Sequence, residues 1–276
     1  MIMKKFKGFT LLELIIVMAI LAILMTAIIQ MMKPIRNTYV DSTLFENQRN
    51  TQNGIVRYIT ESVRFSTDLG LYSKDQVSNA AGALSEFTKA YMTANGADPS
   101  DTTLYNSVYD KMKENAEIII IDNSEYTYRN RTYTGRLIRR KNAGTAVLDT
   151  TEPEAGELTK APVRDHWRLA LGDAYYGDSS YTITLADGDT TNTDWTAADG
   201  IKVTVASRPT SMSKNRANLD NNIADRTVAN NGLILCKNQS DPDINGMFDT
   251  AKFTAGTNAP GTKIYIVYIN NKVAIS

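Results

Sequence analysis

Residues 4–16 of the chain read KKFKGFTLLELII, and this stretch decides the architecture. It opens with three lysines and runs into an apolar segment in which Glu13 is the single charge between Phe9 and Met32. As an α-helix rising ~1.5 Å per residue, those 24 residues are long enough to cross the ~30 Å hydrocarbon layer of a bilayer. The sequence therefore predicts a transmembrane helix near the N-terminus.

The charges that flank this segment predict its orientation. Lys4, Lys5 and Lys7 precede it without an acidic residue, so the positive-inside rule places the first residues in the cytoplasm and the rest outside. A secretory signal would have a shorter apolar region and an Ala-x-Ala-like cleavage site, which does not cleanly follow here. We expect a single-pass membrane protein with an extracytoplasmic head.

Glu13 is the unusual residue of the segment. A carboxylate inside an apolar span costs ~2.5–3.5 kcal/mol on insertion scales, so it needs a partner. One alternative is an uncleaved single-pass anchor in which Glu13 lies near the lipid headgroups.

The stretch KGFTLLEL at residues 7–14 resembles the processing site of type IV prepilins, a family that includes pilins, pseudopilins and competence pseudopilins. The resemblance implies that a prepilin peptidase cuts between Gly8 and Phe9, methylates the new amine of Phe9, and leaves the apolar helix in the mature protein. It also implies that Glu13 meets the Phe9 amine of a neighbouring subunit and so sets the axial register. The implied partners are other pilins or pseudopilins, the prepilin peptidase, an inner-membrane assembly platform and membrane lipid.

Beyond the span, Pro34 predicts a kink or local break near residues 30–33, because proline lacks a backbone donor. A helix then resumes, and one apolar stripe at i, i+4 spacing is expected to face a head. The stripe comprises Leu44, Gln48, Ile55, Ile59 and Val63. The predicted organisation is a leader (1–8), a transmembrane and assembly helix (9–33), the soluble half of that helix (34–66) and a globular head (67–276).

The head begins with an insertion, residues 68–113, which we expect to pack beside the long helix. It contains helix candidates at 84–92 and 104–112 around a loop at 95–99. Strand-like runs rich in β-branched and aromatic residues follow at 117–122, 126–128, 132–139, 181–185, 201–205, 233–236 and 264–269. Two-residue turns are expected at Arg129-Asn130 and Asn270-Asn271. The predicted fold class is α+β, a long N-terminal helix packed on an antiparallel β-sheet. Its finer resemblance is to minor pilins and J-type minor pseudopilins.

Composition excludes several kinds of function. Lys plus Arg and Asp plus Glu number 30 each, so no global field favours nucleic acid. Cys236 is the single cysteine and is interpreted as a small buried hydrophobe, while the single His166 offers little for a zinc site. Trp167 and Trp195 are expected to anchor the core or loops. The insertion and the missing cysteine pair depart from Gram-negative pilins.

Residues 241–249, DPDINGMFD, place oxygen ligands at alternate positions before a glycine, as a calcium loop does. The ligands would be Asp241, Asp243, Asn245 and Asp249. The twelfth position is Lys252 instead of a bidentate glutamate, and the same residue types also form turns. A plain turn is the ordinary explanation, and calcium is the one cofactor that this sequence suggests as the alternative.

Residues 136–141, RLIRRK, form the densest basic run and lie near several tyrosines. Cations mixed with aromatic rings are typical of single-stranded nucleic-acid surfaces, whereas a solvated strand face is the ordinary explanation. Arg139 and Arg140 would carry such binding.

The sequence contains no phosphate-binding glycine loop, nucleophile elbow or HExxH motif, and we expect no enzyme. The leading hypothesis is a minor pilin or pseudopilin of a type IV pilus-like filament. The alternative is an adhesin or DNA-uptake subunit whose head binds a ligand. A membrane-tethered hydrolase is a third hypothesis, to be judged by whether catalytic residues converge.

Overall fold

The computed structural model describes residues 10–128, 131–140, 167–171, 179–187, 200–209, 228–234 and 263–275. The chain forms two compact units, residues 1–45 and 46–276. The described helices are α1 (Leu11–Val63), α2 (Ala80–Ala94) and α3 (Thr102–Asn115). The described strands are β1 (Asp68–Ser73), β2 (Glu117–Asp122), β3 (Tyr126–Tyr128), β4 (Arg131–Tyr133), β5 (Arg136–Arg140), β6 (Trp167–Leu169), β7 (Ser179–Asp187), β8 (Ile201–Pro209), β9 (Val228–Ile234) and β10 (Lys263–Ile269). The predicted α+β class is confirmed.

Helix α1 runs through Pro34 without interruption, so the predicted local break near residues 30–33 is wrong, whereas the kink predicted as its alternative stays a prediction. Proline removes one i→i−4 hydrogen bond, that of the Gln30 carbonyl, while the residues on both sides retain helical bonds. The carbonyl of Pro34 itself accepts a hydrogen bond from Thr38 Oγ1 at 3.0 Å.

The main sheet has five strands in the order β1-β10-β2-β5-β6, and every pairing is antiparallel. Since β1 and β2 are both antiparallel to β10, they run parallel to each other and are joined by a crossover that contains α2 and α3. The C-terminal strand β10 lies between them. Strand β1 was missed at the sequence level, where its residues were assigned to the insertion.

Both helices of the insertion were predicted and have recognisable caps. The Asn79 side chain accepts from Gly82 N at 2.9 Å at the start of α2. Asp101 Oδ1 accepts from the backbone of Thr103 and Leu104 at 3.0 and 3.1 Å at the start of α3. These side-chain acceptors satisfy donors that a helix N-terminus leaves unpaired.

The main sheet is covered on both faces. Ile119 and Ile121 of β2 belong to one core with Ile55 of α1, whereas Ile118 and Ile120 belong to a second core with Phe87 of α2. Successive residues of a strand point to opposite faces, so the helices α2 and α3 of the insertion pack on the face opposite α1. The expectation that the insertion lies beside α1 is therefore wrong for these two helices.

The first core also contains a three-stranded antiparallel sheet, β7-β8-β9. This sheet contacts α1 through polar pairs: Gln52 Nε2 donates to Ser207 Oγ at 2.9 Å, and Asn230 Nδ2 donates to Asn53 Oδ1 at 2.7 Å. The predicted helix stripe is confirmed at Gln48, Ile55, Ile59 and Val63, all of which are buried.

Strands β3 and β4 form a separate hairpin in which Tyr128 pairs with Arg131, the register of the predicted two-residue turn. The turn residues 129–130 lie outside the described residues. The predicted run 132–139 is two strands of different sheets, because the chain turns at Gly135 with φ 78°. The predicted hairpin turn at Asn270-Asn271 is wrong, since residues 272–275 form no strand.

Candidate functional site: the N-terminal processing and assembly segment

The proposed cleavage position lies just before the described part of the segment. Gly8 and Phe9 are outside the described residues, the first of which is Thr10. Cleavage between Gly8 and Phe9 and methylation of Phe9 therefore stay predictions.

Glu13 lies in the first turn of α1 and is held there by Thr10. Its Oε2 accepts from the Thr10 backbone N–H and from Thr10 Oγ1, each at 3.0 Å. In return, the Glu13 backbone N–H donates to Thr10 Oγ1 at 3.3 Å. This reciprocal arrangement is a capping box, in which the residue before the helix and the third helical residue satisfy each other's backbone donors.

The capping box supplies a partner for Glu13 within the same chain. A carboxylate also interacts favourably with the positive end of the helix dipole. The signature was present in the sequence as Thr10-x-x-Glu13, but sequence reasoning looked for the partner at the Phe9 amine and missed Thr10.

The surface of the segment is apolar. Among the described residues, all large hydrophobic side chains that are exposed lie between Leu11 and Tyr39, apart from Phe65 and Leu233. The hydroxyl of Thr26 donates to the Ala22 carbonyl at 2.8 Å, so this polar group is satisfied within the helix. Of the described helices, α1 is the one whose length and composition would allow it to cross a membrane.

A known family model matches residues 3–29 of the chain. This stretch contains the lysines, the capped glutamate and the apolar part of α1. The segment is a prokaryotic N-terminal methylation motif. This motif is the prepilin-type signal of type IV pilins, so the resemblance found in the sequence is confirmed for this part of the chain. No curated protein and no solved structure matches the chain.

The methylation motif has general consequences for the chain. It indicates a type IV pilin-like or pseudopilin-like precursor, and in general such a motif implies processing by prepilin peptidase and assembly with other pilins. Together with the apolar α1, it fits a membrane-anchored, pilus-type surface protein. Families that carry this motif are structural rather than enzymatic.

The basic run at residues 136–141 is not a free cationic surface where it is described. Arg136 is 3% exposed, and its Nη2 pairs with Asp122 Oδ2 at 2.7 Å. The Arg136 guanidinium also lies over the Tyr126 ring, 4.3 Å from its centroid. The prediction of a solvated strand face is therefore wrong for Arg136, because β5 is an inner strand and its neighbour β2 supplies a buried carboxylate.

Arg139 is paired as well, in a network on the face of the sheet that α1 covers. It donates to Glu117 through Nε at 3.1 Å and through Nη2, and Nη2 also reaches the Tyr268 hydroxyl at 3.2 Å. Tyr268 OH donates to Glu117 Oε2 at 2.5 Å. Tyr58 of α1 lies beneath the guanidinium, with its ring centroid 5.8 Å from Arg139 Cζ.

This environment raises the pKa values of Tyr268 and Arg139. Burial raises the pKa of Tyr268 well above its usual range, and the hydrogen bond to Glu117 adds to the effect. Burial alone would lower the pKa of Arg139, but its hydrogen bond to Glu117 and the nearby Tyr268 raise it overall. The network thus joins α1 to strands β2, β5 and β10 instead of presenting charge to a ligand. Arg140's side chain and Lys141 lie outside the described residues.

Of the remaining residues singled out in the sequence, one lies within the described residues and the others lie outside them. Trp167 is 1% exposed and belongs to the second core, which confirms its predicted anchoring role. The calcium candidates Asp241, Asp243, Asn245 and Asp249 lie outside the described residues, as do Cys236, His166 and Trp195. Within the described ranges, no cluster of three or more His, Cys, Asp or Glu side chains could hold a metal ion.

Proposed function

We propose that the chain is a structural subunit, a minor pilin or pseudopilin, of a type IV pilus-like filament. It is cut between Gly8 and Phe9, methylated on Phe9, and enters the filament through its N-terminal helix with the head on the extracytoplasmic side. The observation that carries the proposal is the methylation motif at residues 3–29, with Glu13 at the start of the apolar helix.

Glu13 has two separable roles under this proposal. Its oxygen caps the helix through Thr10, and its charge meets the Phe9 amine of a neighbouring subunit. Such an ion pair in a low-dielectric setting offsets the cost of burying each charge alone, and it would fix the axial position of an incoming subunit.

The processing step is tested by N-terminal sequencing and mass spectrometry of the protein from membranes and from sheared filaments. The expected mature chain begins at methylated Phe9. An intact Met1 in assembled filaments would refute the proposed cleavage.

The assembly step is tested with Glu13→Gln and Glu13→Ala. Glutamine keeps a side-chain oxygen for the cap and loses the charge, whereas alanine loses both. We expect both variants to be cleaved and both to be depleted from filaments. Normal incorporation of Glu13→Gln would show that the charge does not set the register.

The orientation of the head is tested by protease treatment of intact spheroplasts. An extracytoplasmic head is degraded without lysis, and a head protected until lysis would contradict the proposed topology.

The ligand-binding alternative is not put forward. The nucleic-acid hypothesis depended on Arg139 and Arg140. Arg139 is engaged with Glu117, and the side chain of Arg140 lies outside the described residues.

A further inference from the structure

Strand β10 is an inner strand of the five-stranded sheet. It pairs with β1 on one side and β2 on the other, so that Ile266 is opposite both Leu71 and Ile119. Six of its seven residues, from Ile264 to Ile269, are buried. Among the described strands, β1 pairs with β10 and with no other.

Alternate side chains of β10 also contribute to both cores. Ile264, Ile266 and Tyr268 pack in the core under α1, and Tyr265, Val267 and Ile269 pack in the core under α2 and α3. Without β10, β1 has no described pairing partner, and both cores lose central members.

The residues after β10 are fastened to the inserted helices. Tyr91 OH of α2 donates to the Val273 carbonyl at 2.7 Å and accepts from the Val273 N–H at 3.0 Å. Lys111 Nζ of α3 donates to the Ala274 carbonyl at 3.1 Å, and the Val273 side chain is buried. The tail is thus held by both helices of the crossover between β1 and β2.

We propose that residues 263–275 are a closing segment: β1 and α2 dock on the rest of the head only when this segment is in place. The physical reason is that β10 supplies the single described pairing of β1 and part of the surface under α2. Where it concerns export, the inference rests on the proposed function: residues 263–275 follow the other described elements along the chain, so they cross the membrane after them and the head stays open until they have crossed.

Two buried serines provide reporters. Ser73 lies on β1 opposite Ile264, and Ser207 lies on β8, outside the five-stranded sheet; each is 1% exposed. Ser73→Cys and Ser207→Cys are made separately in full-length protein that carries Cys236→Ser, which removes the single native thiol. Maleimide labelling of the purified protein in detergent then reports opening at each site.

The attachment of the closing segment to α2 is weakened with Tyr91→Phe, which removes one hydroxyl and keeps the ring. The matched control is Tyr105→Phe, which removes the hydroxyl that bonds Ser85 Oγ at 2.8 Å between α2 and α3. Tyr91→Phe removes both hydrogen bonds to Val273. We therefore expect it to speed labelling at position 73 at least about tenfold and to leave position 207 within about twofold. Tyr105→Phe should change neither site.

Equal acceleration at both positions in Tyr91→Phe would overturn the proposal, because the segment would then not open separately from the rest. A chain that ends at Thr262 supplies the second measurement, with position 73 expected to label at the denatured rate. Protection of position 73 in that chain would overturn the proposal outright, whatever happens at position 207.

Cleavage of the same variants in cells tests the proposed function separately. The peptidase acts on the N-terminal segment, so the variants should still be shortened at Gly8 in cells. A chain that is never shortened would refute the processing step and leave the labelling result standing.

Discussion

The buried pair Asp122–Arg136 allows one prediction to be worked out in detail. The two side chains are 2% and 4% exposed, and their closest atoms are 2.7 Å apart. Asp122 has further support, because its Oδ1 accepts from the backbone N–H and the hydroxyl of Ser124. Arg136 has less: its Nε and Nη1 have no hydrogen-bond partner in the described head.

The two single substitutions should therefore differ in cost. Asp122→Asn leaves a guanidinium that cannot lose its proton buried without its counter-charge, and breaking such a pair costs about 3–5 kcal/mol. Arg136→Met leaves a carboxylate that keeps the Ser124 hydrogen bonds and can take up a proton, so about 2–3 kcal/mol is expected. In a chain of this size the first value corresponds to a fall in Tm of about 6–20 °C.

Thermal and denaturant unfolding of the full-length protein in detergent, followed by near-ultraviolet circular dichroism, measures both variants and the double variant. The double variant leaves no uncompensated charge, so it should be more stable than Asp122→Asn alone. The matched control is Glu61→Gln in the exposed pair Arg57–Glu61, 2.6 Å apart with side chains 79% and 64% exposed, where less than about 0.5 kcal/mol is expected. Equal costs for the two single substitutions, or a double variant that loses the sum of both, would refute the reasoning.

Three further outcomes are expected. Gly135→Ala should destabilise the head far more than Gly96→Ala in chemical unfolding: both have positive φ, but a Cβ at 135 would lie 2.4 Å from the Tyr181 carbonyl oxygen and one at 96 would meet nothing within 4 Å. Burial raises the pKa of Asp68 above its ordinary 3.8, so its contribution to stability is full below that pH and is lost as pH rises through the raised value. Asp68→Asn should flatten this part of the pH profile of unfolding free energy, and an unchanged profile would contradict the assignment. Thr10→Ala should speed amide exchange in the first turn of α1, at a cost of ~0.5–2 kcal/mol, while Thr10→Ser should not; equal exchange in the two variants would exclude the capping box.

Local pattern was sufficient for the elements that carry a strong periodicity. A few residues are enough to recognise the stripe of α1 and the alternating or continuous apolar runs of β2, β8 and β10. Strand β1 cannot be recognised in this way, because its sequence DLGLYS contains Gly70 and no β-branched residue. A Cβ at Gly70 would lie 2.8 Å from the Phe87 ring, so this glycine reflects packing across the sheet that only the tertiary structure reveals.

The ion pairs of Arg136 and Arg139 could not be predicted from local sequence either, because they too depend on the tertiary structure. Arg136 and Arg139 read as a basic run because their carboxylates are distant in sequence and become neighbours only through the register of β2 and β5. By contrast, the Thr10–Glu13 capping box is a local signal, and the sequence alone could have revealed it.

The placement of β10 also bears on solubility. Its sequence KIYIVYI has high β-propensity, no proline or glycine and a single charge, which is the composition of segments that stack into cross-β fibrils. In the finished head, both edges of this strand are occupied by β1 and β2. The chain therefore keeps this fibril-compatible segment where a neighbouring copy of the chain cannot pair with it.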